Sequence, residues 1–359
     1  MIQKELAYAK QGAFATRNWD CFQRLIRRCL RDRQGVPSSL PATNGLLQAM
    51  AVKSLLIVLL ILSAAPVMAM TRTLQKGPAL VIVAFGTTTD ARETYDFFEN
   101  QLQQELPEPW RQAPISWAYT SEIVRERANK QFAEKGVPQR YRSLIQVLAD
   151  LEDQGYRQIA VQSLHIFPGQ EYEDMEKEIA AFRGLGLRIE YGGTLLHKWD
   201  MLFETISAVA PEFLPTTEGC TLLVSHGTPE TFSGANSTYL GLDRYLRQKY
   251  DKVYAGTVDG VLTREQAMAQ AKTCSPARVK IVPFMYVAGD HIMNDIMGNK
   301  ADKEGAPSWA MELQGAGLKV DTVSTEYLGR KVFKGLGFYP EINRIFIKQL
   351  VESLGRLRQ

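Results

Sequence analysis

The sequence predicts an α/β fold of two similar domains, each a parallel sheet flanked by helices, with a cleft between them. Apolar runs of strand length alternate with segments of helical periodicity, the pattern of parallel sheets joined by helices. That alternation runs through twice, and its strand ends repeat. Ala84-Phe85-Gly86-Thr87 matches Ser225-His226-Gly227-Thr228. Leu164-His165-Ile166-Phe167-Pro168-Gly169-Gln170-Glu171 matches Phe284-Met285-Tyr286-Val287-Ala288-Gly289-Asp290-His291. A duplicated unit sets matching strand ends face to face, and open α/β sheets bind ligands beyond the carboxyl ends of their strands.

Each element has its own signal. Residues 79–85 are a continuous apolar run, as a strand covered on both faces requires, and end in the polar turn 86–90. A helix over 91–106 follows and stops at Pro107. A strand over 115–120 leads into a helix over 122–132, and a second helix over 141–153 stops at Gly155. The strand over 158–164 delivers His165 and Glu171; a helix over 173–182 and a strand over 187–191 complete the first set. The second set reads as strand 220–225, helix 237–250, strand 253–258, helix 264–272, strand 279–284, helix 309–314 and strand 319–323. A last helix over 340–354 packs back across one of the domains. The domain boundaries are placed at 70–200 and 201–359.

The N-terminal part reads differently. Met50-Ala51-Val52-Lys53 precedes an apolar run over 55–65 and then Pro66-Val67-Met68-Ala69, which has the three regions of a secretory signal peptide over 50–69. The apolar run is short for a bilayer span, so no stable membrane anchor is expected after cleavage, and the location expected is the periplasm. Residues 1–49 then precede a signal peptide and read as a non-native N-terminal extension, with Met50 as initiator. Residues 1–69 hold nine Lys and Arg against three Asp and Glu, so without them the net charge of +3 becomes −3. With no run of like charge besides, nucleic acid is not an expected partner. Of four cysteines, Cys21 and Cys29 fall in this part. Cys220 and Cys274 form no Cys-x-x-Cys motif and are read as a pair of unbridged thiols, with a bridge as the alternative open to an exported protein.

Three of the four histidines, His165, His226 and His291, fall at strand ends, while His197 lies in a surface loop. Two imidazoles and a carboxylate, His226, His291 and Glu171, suit a divalent first-row transition metal better than calcium or magnesium. No His-Glu-x-x-His helix, Walker lysine, Gly-x-Gly-x-x-Gly or Gly-x-Ser-x-Gly is present, so the zinc hydrolase pattern and the nucleophile elbow are absent and nucleotide binding is poorly supported.

Ser163-Leu164-His165, Gly169-Gln170-Glu171-Tyr172-Glu173, His226-Gly227 and Ala288-Gly289-Asp290-His291-Ile292-Met293-Asn294-Asp295 together resemble the anaerobic sirohydrochlorin cobaltochelatases. These are class II tetrapyrrole chelatases of the cobalamin pathway. Val83-Ala84-Phe85-Gly86-Thr87 and Gly337-Phe338-Tyr339-Pro340-Glu341 extend the resemblance over 78–354. It implies a chelatase-like fold with the macrocycle in the cleft. It also implies an enzyme that inserts Co2+, with Fe2+ as the other metal to consider, into sirohydrochlorin or a related tetrapyrrole. Glu171, His226 and His291 are then the metal-site and catalytic residues, and a homo-oligomer is compatible with this reading. Arg125, Arg127, Lys198 and Arg330 are the bases considered for the substrate's carboxylates. Export sets this chain apart from the usual members. It opens the alternative of a periplasmic haem or metal carrier, with His165 as the residue that would serve as axial haem ligand.

Overall fold

The computed structural model describes residues 76–229 and 233–359. The expected extension and signal peptide lie outside these residues. The first half comprises β1 (Ala79–Ala84), α1 (Glu93–Glu105), β2 (Ile115–Tyr119), α2 (Glu122–Glu134), α3 (Leu144–Asp153), β3 (Gln158–Ser163), α4 (Gln170–Gly184) and β4 (Arg188–Gly192). After α5 (Trp199–Val209), the second half runs through β5 (Cys220–Gly227), α6 (Ser233–Lys249), β6 (Val253–Asp259), α7 (Arg264–Lys272), β7 (Arg278–Pro283), α8 (Trp309–Gly315) and β8 (Lys319–Thr322). A hairpin of β9 (Ser324–Tyr327) and β10 (Arg330–Phe333) and a final helix, α9 (Pro340–Arg356), close the chain.

Two parallel four-stranded sheets carry the fold, in the orders β2-β1-β3-β4 and β6-β5-β7-β8. Their registers correspond residue for residue. Val83 pairs with Ser163 as Val224 pairs with Pro283, and Ala84 pairs with Tyr119 as Ser225 pairs with Thr257. The internal repeat inferred from strand ends is therefore a repeat of topology and pairing. In both sheets the first strand lies between the second and third, so the order in which strands are added reverses beside β1 or β5, the switch point where α/β sheets open their ligand crevices.

Both first strands turn at a glycine with left-handed backbone, Gly86 (φ +103) and Gly227 (φ +94). A Cβ on Gly227 would sit 1.3 Å from the Asp259 carbonyl oxygen, so no other residue fits there. The two glycine N–H groups donate to tyrosine hydroxyls, Gly86 to Tyr95 and Gly227 to Tyr239, each at 3.1 Å. Each tyrosine stacks on the loop after the other half's third strand: Tyr95 on Tyr286 (centroids 6.4 Å apart, 18°) and Tyr239 on Phe167 (3.7 Å, 25°). Gly169 likewise faces Thr228 while Gly289 faces Thr87, with Cβ positions 3.5 and 3.1 Å from the threonine Oγ1 atoms. These reciprocal contacts hold the two sets of strand ends against each other. One buried core runs from Leu80 and Ile82 of β1 to Leu223 and Val282 of the second sheet.

The final helix packs on β3 and β4 of the first sheet, where Arg356 pairs with Glu190 at 3.0 Å. Two elements go beyond the sequence reading. The first is α5, whose N-cap Lys198 makes no side-chain capping bond; the 200/201 boundary falls inside it. The second is the β9–β10 hairpin, which turns through Leu328 (φ 49) and Gly329 (φ 74).

The reading of Cys220 and Cys274 as unbridged thiols is corrected. They form a disulfide with Cα atoms 5.8 Å apart. Cys220 begins β5 opposite Val279 of β7, and Cys274 lies in the loop entering β7, so strand pairing closes a sequence separation of 54 residues.

Candidate active site

His226 is the penultimate residue of β5, and His291 follows β7 at the entrance of a π-helical turn, Ile292–Ile296. Because β5 and β7 are neighbours, the two imidazoles meet with centroids 4.7 Å apart and planes inclined at 75°. Each ring is oriented through Nδ1. That of His226 lies 3.1 Å from the Gly227 carbonyl oxygen, and that of His291 lies 2.5 Å from Asp295 Oδ2. Both partners accept only, so Nδ1 carries the proton and Nε2 keeps its lone pair, the arrangement of metal-binding histidines. Desolvation pushes the His226 pKa down and neighbouring His291 adds to this, against the opposing pull of the Gly227 carbonyl, Asp259 and Asp295. His226 is therefore a neutral ligand-ready base at physiological pH.

Glu171 occupies the corresponding place in the first half, in the first turn of α4, whose dipole favours a carboxylate. Desolvation pushes its pKa above the ordinary 4.5, opposed by a hydrogen bond from Thr120 and by Arg125, with Asp174 adding to the rise. The structure brings His226 and His291 together but does not close a cage. Among the described residues, no three His, Cys, Asp or Glu side chains are grouped tightly enough to hold a metal between them. The remaining coordination positions of an ion on the imidazole pair would be open to another donor.

His165 does not join the pair. Its Nδ1 lies 2.7 Å from Ser163 Oγ and its Nε2 lies 3.2 Å from Thr120 Oγ1, so both ring nitrogens are engaged. Desolvation lowers its pKa to about 4. An axial haem ligand needs a free nitrogen, and His165 does not fit that role in this arrangement. His197 is exposed, as expected.

The four candidate bases divide. Arg125 donates to the Tyr119 and Thr120 carbonyls at 2.7 and 2.6 Å, bracing the end of β2. Arg330 is held by Glu93 and Asp90 of the first half. Arg127 and Lys198 are exposed.

Sequence reasoning gave no role to Asp295, although its spacing of four from His291 is the signal for a side-chain pair on a helical turn. Nor did it assign Phe85, which matches His226 in position, stays 42% exposed and lies 6.3 Å from that ring.

Duplicated parallel sheets with an imidazole pair at the strand ends define an α/β protein of the chelatase fold. The fold of SirB from Bacillus subtilis, solved with Fe3+, is similar. Its TM-score is 0.51 at 14% identity, covering 78% of this chain and 97% of that one. Residues 78–354 match the cobalt chelatase (CbiK) family, and the chain belongs to that family. A sirohydrochlorin cobaltochelatase of Salmonella typhimurium is 27% identical over 282 residues, 77% of this chain and 96% of the relative. The sirohydrochlorin cobaltochelatase CbiKC of Nitratidesulfovibrio vulgaris is 26% identical over 260 residues, 70% of this chain and 85% of the relative.

Proposed function

We propose that the protein is an enzyme that inserts Co2+ into sirohydrochlorin. The observation that carries this reading is the pair of Nδ1-anchored imidazoles, His226 and His291, meeting at neighbouring strand ends in a chain of the cobalt chelatase family. Insertion requires a hydrated ion to lose water and two pyrrole N–H protons to leave. His226 and His291 hold the ion through Nε2 on one side, leaving its other positions to the macrocycle nitrogens. Glu171 takes up protons from the ring, a role suited by burial that raises its pKa above the ordinary carboxylate value.

The site of action in this reading is the periplasm. Two features support it: the leader-like sequence over 50–69, and the Cys220–Cys274 disulfide, a bond that persists in oxidising compartments. Fe2+ is the competing ion, because the affinity order of first-row metals does not by itself set selectivity.

The test mixes purified protein anaerobically with sirohydrochlorin and either ion and follows the macrocycle's absorption. Turnover beyond one equivalent, faster with Co2+, is expected. A retained tetrapyrrole with no turnover would contradict the enzyme and favour a carrier. Faster turnover with Fe2+ would reassign the metal.

A further inference from the structure

A large apolar side chain faces water beside the imidazole pair. Phe85 follows β1 directly, and its backbone is held as a strand's is. Ser121 N–H donates to the Phe85 carbonyl at 3.3 Å, and Thr120 N–H donates to that of Ala84 at 2.9 Å. The left-handed Gly86 then turns the chain. The phenyl ring nevertheless stays 42% exposed, 6.3 Å from the His226 imidazole and tilted 44° to it. Ile123 and Ile145 are exposed too, but they stand on helices α2 and α3, where a lone apolar side chain needs no explanation. Phe85 stands at the carboxyl end of a central strand, where such sheets receive their ligands.

The duplication gives this position its meaning. In the repeated strand ends Phe85 takes the place of His226, and a left-handed glycine follows each. The backbone that carries an imidazole in the second half carries a phenyl in the first. A phenyl ring neither ligates an ion nor moves a proton. What it offers is flat apolar area, which pairs with another π system by offset or edge contact. Ligand crevices are lined by such surfaces, with a few polar groups fixing orientation. The conjugated core of a tetrapyrrole is a partner of that chemistry, and the imidazole pair beside Phe85 supplies the polar groups.

We propose that Phe85 is a substrate-binding residue, the surface on which the conjugated face of the tetrapyrrole rests while His226 and His291 present the ion. This rests on the chelatase reading above and assigns the macrocycle a contact which that reading leaves unnamed. The contact is made in the bound ground state, so its loss should appear in KM for the tetrapyrrole rather than in kcat.

The test titrates metal-free sirohydrochlorin into wild type and three variants, followed by the macrocycle's absorption, with Co2+ affinity measured separately by calorimetry. Phe85→Ala should weaken tetrapyrrole binding about tenfold, and Phe85→Leu, which keeps apolar bulk without a π face, about threefold. Phe85→Tyr should bind within about twofold of wild type, since the ring is retained. Co2+ affinity should be unchanged in all three. During insertion the same order should appear in KM for sirohydrochlorin. Wild-type tetrapyrrole binding by Phe85→Ala, in a wild type that does insert metal, would overturn this proposal and leave the chelatase reading standing. A parallel loss of Co2+ affinity would also overturn it, because Phe85 would then act only by supporting His226. A wild type that binds no sirohydrochlorin would overturn both.

Discussion

The two halves of this molecule share strand order, register, glycine elbows and tyrosine clamps, yet they present different chemistry at matching positions. The first half offers Phe85 and Glu171 where the second offers His226 and His291. Backbone geometry is thus duplicated, and function comes from changing the side chains it aims. The supporting residues differ accordingly. In the second half a carboxylate four residues away, Asp295, holds the His291 ring, while in the first the His165 ring is held by Thr120 and Ser163 from two other strand ends.

The largest effect expected from breaking this asymmetry is at the imidazole pair. His226→Ala or His291→Ala should slow Co2+ insertion about a thousandfold, the scale of losing a group that stabilises developing charge. Circular dichroism should remain unchanged, because His226 is exposed and supports no core. Insertion at the wild-type rate in both variants would refute the site.

The disulfide is a second asymmetry, since it staples only the second half; Ala79 stands where β5 has Cys220. Cys220→Ala with Cys274→Ala should destabilise the protein by about 4 kcal/mol, from loop-closure entropy over this separation, as measured by denaturant unfolding. The insertion rate well below the melting temperature should be retained, because Cys220 is at the opposite end of β5 from His226.

Removing the support rather than the ligand should cost less. Asp295→Asn leaves His291 in place but withdraws its anionic partner, and Co2+ affinity by calorimetry should fall about tenfold. An unchanged affinity would mean that Asp295 is only a surface partner of His291.

Protonation sharpens the comparison further. Burial raises the Glu171 pKa above 4.5, and desolvation of the His226 ring, which still reaches solvent, lowers its pKa below 6.5. Glu171 acts deprotonated and His226 acts neutral, so insertion should decline as pH falls through these values. The His226 contribution should begin below the ordinary imidazole range and that of Glu171 above the ordinary carboxylate range. An acid limb centred on an unshifted histidine would count against the assignment. Buried His165 adds a stability effect. Its folded pKa of about 4 lies below the unfolded 6.5, so the unfolded state binds the proton first. Stability is full above 6.5 and should fall by about 2–3 kcal/mol as pH drops toward 4.

Much of this was legible in the sequence because buried parallel strands are continuous apolar runs. The repeated strand ends gave the duplication and brought His226 and His291 together on paper. What stayed hidden depended on partners remote in the chain. His165 reaches Thr120 across 45 residues because β1 lies between β2 and β3, an order no local pattern reveals. The disulfide likewise depends on β5 pairing with β7. Helix α5 begins at a lysine with no capping side chain, and the hairpin turns at a leucine where an asparagine would have signalled it.

The central claim divides labour between the halves: imidazoles for the metal and a carboxylate for the protons. Parallel calorimetric titration of Co2+ into His226→Ala and Glu171→Gln tests it most directly. His226→Ala should lose Co2+ binding, whereas Glu171→Gln should bind Co2+ as the wild type does while failing to insert it. Equal loss of Co2+ affinity in both variants would contradict that division and make Glu171 a ligand of the ion.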